Sequence, residues 1–224
     1  MPRRATTFVV DHYYHLYNRG NNRQSIFFEP ENFYYFLDGI KKYLLPVMDV
    51  LAYSLMPTHY HLLGRPKQLK TSEVAQISEA SQTSEVSQTS ETSQTSEVSI
   101  GVSRAMMRLS VSYTKAINKR FDRVGALFQG AFQAKHIDNE YHLKNLCIYI
   151  HANPVKDGLI ADPEDWPYSN YPEWLDERES VLVDREFVRQ YFGDAAAYQK
   201  LVMEYLKTKI LPEDVRLHLQ SLQK

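Results

Sequence analysis

Between His12 and Ile137 the apolar residues fall into six stretches whose order leaves few folds open. His12 to Tyr17 reads as a strand and ends in the turn-rich Asn18-Arg19-Gly20-Asn21-Asn22. Glu31 to Tyr43 places Phe33, Phe36, Leu37 and Ile40 on one helical face. Pro46 precedes an apolar run, Val47 to Met56, which Pro57-Thr58 separates from a second short strand, His59 to Gly64, so that the two form a hairpin. Val102, Met106, Leu109, Tyr113, Ile117 and Phe121 then recur at helical spacing over about five turns. Ala131 to Ile137 completes the set as a strand. Strand, helix, strand, strand, helix, strand is the split βαβ plan: an α+β, ferredoxin-like antiparallel sheet with helices on one face. Glu140 to Asn153 is a further helix, with Leu143, Leu146, Cys147 and Ile150 inward and Pro154 stopping it. An acidic stretch from Asp157 to Glu179 and a mainly helical C-terminal extension follow.

One segment does not fit the plan. From Thr71 to Ser99 a six-residue unit of the Ser-Glu-Val-Ser-Gln-Thr kind recurs, a period that matches neither a helix stripe nor a solenoid unit. The segment carries five glutamates, no lysine, no arginine and no aromatic residue. It has almost nothing to offset the entropy of ordering, so the sequence predicts a disordered insertion, at about 70–100, in a surface connection. The whole chain has a formal charge of −1, but the other 195 residues hold 26 basic and 22 acidic groups and all 28 aromatic side chains. That remainder suffices for a packed core and for stacking on bases.

Cys147 is the single cysteine, which excludes an internal disulfide and fits a reducing cytoplasm. No run approaches the roughly 18 apolar residues of a membrane span. The start meets Asp11 and His12 before any signal-peptide core develops. The expectation is a soluble cytoplasmic protein.

Two constellations carry chemistry. In a strand, His59 and His61 share a face while Tyr60 points the other way. They read either as two half-exposed histidines on a polar face or as two converging metal ligands. Tyr149 and Asn153 lie four apart, on one face of a helix. An amide oxygen there is a plausible hard ligand beside two imidazoles, and the tyrosine one turn earlier is a nucleophile next to the metal. Taken singly, Tyr149 is also a rim tyrosine and Asn153 a helix cap before Pro154. Tyr113 sits on the apolar stripe of the preceding helix, with Ile117 one turn on, and reads as core. His12, His15, His136 and His151 show no comparable partner and read as structural or peripheral.

His59-Tyr60-His61 resembles the signature of the HUH endonucleases, with Tyr149 and Asn153 resembling their catalytic tyrosine and amide ligand. Further motifs narrow the resemblance: Tyr17-Asn18-Arg19-Gly20, Met56-Pro57, Gly125-Ala126-Leu127-Phe128-Gln129-Gly130, and Tyr149-Ile150-His151-Ala152-Asn153-Pro154-Val155. Together they are similar to the REP-associated tyrosine transposases, over about His12 to Tyr171. The acidic repeat departs from that pattern, as does Thr58, where such proteins often carry asparagine.

The resemblance implies a catalytic domain at 1–154, interrupted by the insertion, and a C-terminal extension at 155–224. It implies a metal-dependent single-strand DNA endonuclease and strand transferase, with Mg²⁺ or Mn²⁺ held by His59, His61 and Asn153. Attack by Tyr149 on a REP-type hairpin substrate would leave a 5′-phosphotyrosine and a free 3′-hydroxyl, which allows rejoining without ATP, in the service of DNA transposition. A non-cleaving hairpin-binding protein and a rolling-circle replication initiator are the alternatives. A basic strip of Arg104, Arg108, Lys115, Lys119, Arg120 and Arg123 is expected to meet phosphates, as are Arg19 and Arg23. The expected protein is bacterial, nucleoid-associated and monomeric, the alternative being a dimer that exchanges the tyrosine helix.

Overall fold

The computed structural model describes residues 6–68 and 90–221. The chain order is β1 (Tyr13–Arg19), α1 (Pro30–Gly39), β2 (Met48–Met56), β3 (His59–Pro66), α2 (Ser90–Arg120), β4 (Gln133–Ile137) and α3 (Glu140–Lys156). Four helices follow: α4 (Tyr171–Trp174), α5 (Arg185–Phe192), α6 (Ala195–Thr208) and α7 (Glu213–Ser221). The strands form one antiparallel sheet in the order β2-β3-β1-β4, the split βαβ arrangement expected from the sequence.

Strand alternation sorts the side chains between two cores. Tyr14, Leu16, Tyr60 and Leu62 are buried with Phe33 and Phe36 of α1 and with Met106, Leu109 and Tyr113 of α2. Helices α1 and α2 therefore cover one face. On the other, Leu63 and Ile137 are buried with Leu143, Leu146 and Ile150 of α3 and with Trp174, Tyr198 and Val202 of the extension. A bulge between Val50 and Ala52 turns both Leu51 and Ala52 toward this second core. Asn170 ties the extension to the β2 edge: its side chain accepts from the Tyr53 N–H at 2.7 Å and donates to the Leu51 carbonyl at 2.8 Å. The Trp174 indole N–H donates to that same carbonyl at 3.1 Å. An edge that would otherwise be open is thereby covered.

The strands differ from the sequence reading by one or two residues at their ends, and three helices differ in ways that matter. Helix α1 runs on into a π-helical turn, Ile40–Leu44. Helix α2 begins at Ser90, inside the repeat expected to be disordered, because Val98 is buried in the first core and the Ser99 hydroxyl accepts from the Phe8 N–H at 3.2 Å. The rest of that repeat, residues 71–89, lies outside the described residues. Helix α3 passes through Pro154 to Lys156. The proline removes one donor near the C-terminal end, and Asp157 and Leu159 N–H groups still reach the Asn153 and Pro154 carbonyls at 2.9 Å each.

Candidate active site

The register of the sheet builds one wall of a cleft. Tyr17 lies opposite His61 and Arg19 opposite His59, so all four side chains rise from the face that α3 covers. The turn after β1 presents the cations. Gly20 is required there because a Cβ would stand 1.9 Å from the Gln24 carbonyl oxygen. Asn22 and Arg23 then adopt left-handed backbone, with φ of 52° and 58°. For arginine that conformation costs on the order of 1 kcal/mol, and it is the turn that brings Arg23 to the cleft. Arg19 donates from Nε to the Gln129 side-chain oxygen.

Helix α3 supplies the other wall. Tyr149, Asn153 and Lys156 follow at i, i+4 and i+7, a single stripe. The Tyr149 and His61 ring centres are 5.8 Å apart, and those of His61 and His59 are 5.0 Å apart. Lys156 donates from Nζ to the Tyr149 hydroxyl at 3.4 Å, lies 4.9 Å from its ring centre, and pairs with Asp157 at 3.2 Å. The resulting cleft, about 640 Å³, is lined by Arg19, Arg23, His59, His61, Tyr149 and Lys156 among others.

Burial sets the protonation of these groups. It lowers the His59 pKa to about 4 and the His61 pKa well below the usual imidazole value, so both rings are neutral at pH 7, the form that ligates metals. Burial raises the Tyr149 pKa, with Lys156 opposing it. Burial also pulls the Lys156 pKa down, but the phenol and Asp157 outweigh it and hold the ammonium charged.

Asn153 is fully buried; neither of its amide atoms makes a hydrogen bond of good geometry, although the amide lies close enough to the Tyr149 hydroxyl to favour its ionised form. Leaving such a group unpaired costs about 1–3 kcal/mol. Its oxygen fits a hard cation, and the two neutral imidazoles suit Mn²⁺ better than Mg²⁺. Among the described residues no three His, Cys, Asp or Glu side chains group so as to hold a metal, so a cation here would draw on the amide.

The structure thus brings together His59, His61, Tyr149, Arg19 and Arg23 on the cleft; Asn153, on the tyrosine's stripe of α3 and fully buried, is not among the residues that line it. It does not bring the α2 strip there. Arg104, Arg108, Lys115 and Lys119 fall within about 60° around α2, on the helix that covers the opposite face of the sheet. Arg120 pairs with Glu29 at 3.0 Å, and Arg123 lies over the Phe28 ring at 5.3 Å.

No protein-family model matches the chain. No curated protein matches it either. Among solved structures, a REP-associated tyrosine transposase bound to a REP hairpin aligns with a TM-score of 0.48 and 16% identity, over 82% of this chain and 94% of that one. A bacterial tRNA(His) guanylyltransferase-like protein in complex with ATP aligns with a TM-score of 0.35 and 7% identity, over 78% and 72%. Similarity at these levels assigns neither family nor activity.

Four residues of this region escape a reading of the sequence. Lys156 was signalled by its i+7 spacing from Tyr149, but Pro154 hid the helix that makes the spacing meaningful. His15, expected to lack a partner, joins its Nε2 to His61 Nδ1 at 2.9 Å and its Nδ1 to His218 Nε2 at 3.2 Å. His142 in turn meets His218 at 3.0 Å. The other histidines read as unpartnered are also engaged: His12 with His136 at 2.8 Å, and His151 with the Tyr198 hydroxyl at 2.7 Å. Strand parity places His15 and His61 on one face, but only the 1–3 strand pairing makes them neighbours.

Proposed function

We propose that this chain is a single-strand DNA endonuclease and strand transferase of the REP-associated tyrosine transposase type, with Tyr149 as nucleophile and His59, His61 and Asn153 as ligands of Mg²⁺ or Mn²⁺. The observation that carries the reading is the cleft itself: a tyrosine hydroxyl, two neutral imidazoles and a lysine within one set of ring contacts, all from one chain. A phenol, with an ordinary pKa near 10, is a weak nucleophile, so neighbouring positive charge is what this chemistry requires.

The cation would polarise the scissile phosphate and neutralise charge developing on it. Arg19, at the end of β1, and Arg23, on the strained turn, would hold the flanking phosphates, and Gln129 steadies Arg19. Lys156 stabilises the Tyr149 oxygen as its proton passes to solvent. The phenol oxygen attacks phosphorus, the ester bond to the 3′-oxygen breaks, and that oxygen takes up a proton from solvent. The 5′-phosphotyrosine keeps the phosphodiester energy for rejoining. The α2 strip would be a second phosphate surface, for the stem of a hairpin. In this reading residues 1–154 form the catalytic unit and 155–224 an extension that completes it, and one copy suffices, since Tyr149 reaches the histidines of its own chain.

A labelled single-stranded hairpin incubated with Mn²⁺ and run on a denaturing gel tests this. Wild type should give a covalent protein–DNA band, and Tyr149→Phe should give none while binding the hairpin nearly as well. Hairpin binding without a covalent band from wild type would favour the non-cleaving alternative.

A further inference from the structure

Four imidazoles and a carboxylate run in single file from the cleft to the surface. His61 Nδ1 meets His15 Nε2 at 2.9 Å, and His15 Nδ1 meets His218 Nε2 at 3.2 Å. His218 Nδ1 meets His142 Nε2 at 3.0 Å, and His142 Nδ1 stands 3.4 Å from the Asp214 carboxylate. The members come from β3, β1, α7 and α3, with Asp214 and His218 one turn apart on α7.

A neutral imidazole has one donor nitrogen and one acceptor, so the bonds along such a file must all point the same way. A carboxylate only accepts. A neutral His142 whose Nδ1 stands 3.4 Å from the carboxylate is favoured with its proton on that nitrogen, and it then accepts on Nε2 from His218 Nδ1–H. His218 accepts on Nε2 from His15 Nδ1–H, and His15 accepts on Nε2 from His61 Nδ1–H. The reverse polarity would end with a lone pair facing a carboxylate. Burial disfavours a second proton on His15, His142 and His218, and the charge of Lys135, opposite His15 on β4, adds to this, with Asp214 opposing it at His142.

We infer that this file is a tautomer relay by which Asp214, His142 and His218 fix His61 with its proton on Nδ1 and its lone pair on Nε2, the state required of a cation ligand. The three are positioning residues acting through His15. The relay links the C-terminal extension to the cleft, where Leu219 of the same helix also lines the wall. His59 has no equivalent: its Nδ1 faces the Thr58 hydroxyl at 3.0 Å, which can donate or accept, so that ring's tautomer is not fixed. The cation-binding consequence rests on the function proposed above; the tautomer itself does not.

The test uses the full chain labelled with ¹⁵N-histidine, with His61 resonances assigned by comparison with His61→Gln. In the metal-free wild type, His61 should show a protonated Nδ1 and an unprotonated Nε2. His218→Phe, which interrupts the file, should mix or reverse that pattern and weaken Mn²⁺ affinity about 10-fold or more, measured by electron paramagnetic resonance titration of Mn²⁺ alone. His218→Gln, whose amide can accept from His15 and donate to His142, should restore both readouts. If His218→Phe fails to fold by circular dichroism, the surface variant Asp214→Ala decides, with a change in the same direction expected. A wild-type His61 protonated on Nε2, or a His61 pattern unmoved by a folded interrupting variant, would overturn the relay. The expected tautomer and its loss in the variant, in a wild type that binds no Mn²⁺, would uphold the relay and overturn the cation reading instead.

Discussion

The Lys156 ammonium sits 3.4 Å from the Tyr149 hydroxyl oxygen and 4.9 Å from the centre of its ring. Burial makes the phenol harder to ionise, and Lys156 is the first of the groups that oppose it. Removing the ammonium leaves the burial in place, so the Tyr149 pKa must rise further. Lys156→Met should therefore slow covalent adduct formation by about 10- to 100-fold at pH 7.5, and its pH–rate profile should climb to a higher pH than that of wild type. Single-turnover rates between pH 7 and 10 decide the matter; identical profiles would remove Lys156 from the chemistry.

Asn153 offers a cleaner separation of stability from function. Its amide atoms are buried without a hydrogen bond of good geometry, so alanine removes a poorly satisfied group from a helix and puts a better helix former there. Asn153→Ala should unfold no earlier in urea than metal-free wild type, with a gain of up to about 1 kcal/mol. The same variant should lose Mn²⁺ affinity and adduct formation. A large loss of stability would mean that the amide holds the fold rather than a ligand.

Much of this site was legible in the sequence, and the gaps have physical causes. Alternation in β3 was enough to put His59 and His61 on one face, and i, i+4 spacing enough to align Tyr149 with Asn153. Local rules miss the features that tertiary packing creates. Pro154 is a reliable breaker in a helix interior but is tolerated in this last turn, which concealed Lys156. The burial of Val98 in the α1–α2 core overrode the composition of the repeat's last ten residues. The file of histidines could not be read at all, because His15 and His218 are 203 residues apart and meet, with His142, only once α7 docks.

The α2 strip and the turn arginines should separate in solution. Arg104, Arg108 and Lys115 lie on the helix that covers the face away from the cleft, whereas Arg19 and Arg23 line it. Changing the three α2 residues to glutamine should weaken hairpin affinity and lower the slope of log affinity against log salt by about 1 for each phosphate no longer neutralised. Cleavage at saturating DNA should be unchanged. For Arg19→Gln and Arg23→Gln the saturated rate should also fall. Equal effects on the saturated rate from both sets would contradict the division.

Tyr113 and Tyr149 make a second contrast, between a tyrosine that builds and one that reacts. The Tyr113 hydroxyl is buried and donates to the Ile26 carbonyl at 2.7 Å, just after the turn that carries Arg23. Tyr113→Phe leaves that carbonyl without its donor and should cost about 1–2 kcal/mol of stability, read from urea denaturation, while the covalent band persists.

Acid should destabilise the fold before the carboxylates titrate. Burial lowers the His151 pKa to about 4 and the His218 pKa to about 3, although the Asn170 bond raises the former somewhat. In the unfolded chain both return to about 6.5, so between those values the unfolded state binds protons that the native state refuses. The sign is therefore fixed: this part of the stability is present in full above about pH 6.5 and is lost as pH falls toward the folded values. Each such histidine contributes a slope of about 1.4 kcal/mol per pH unit in that window. Urea midpoints measured from about pH 7 to 5 should fall steadily, ahead of the usual carboxylate range. His151→Gln keeps a polar group for the Tyr198 hydroxyl and Asn170 but cannot titrate, so it should lower the midpoint at pH 7 and flatten the slope. A midpoint constant over that range would show that these rings are protonated in the folded protein, contrary to their burial.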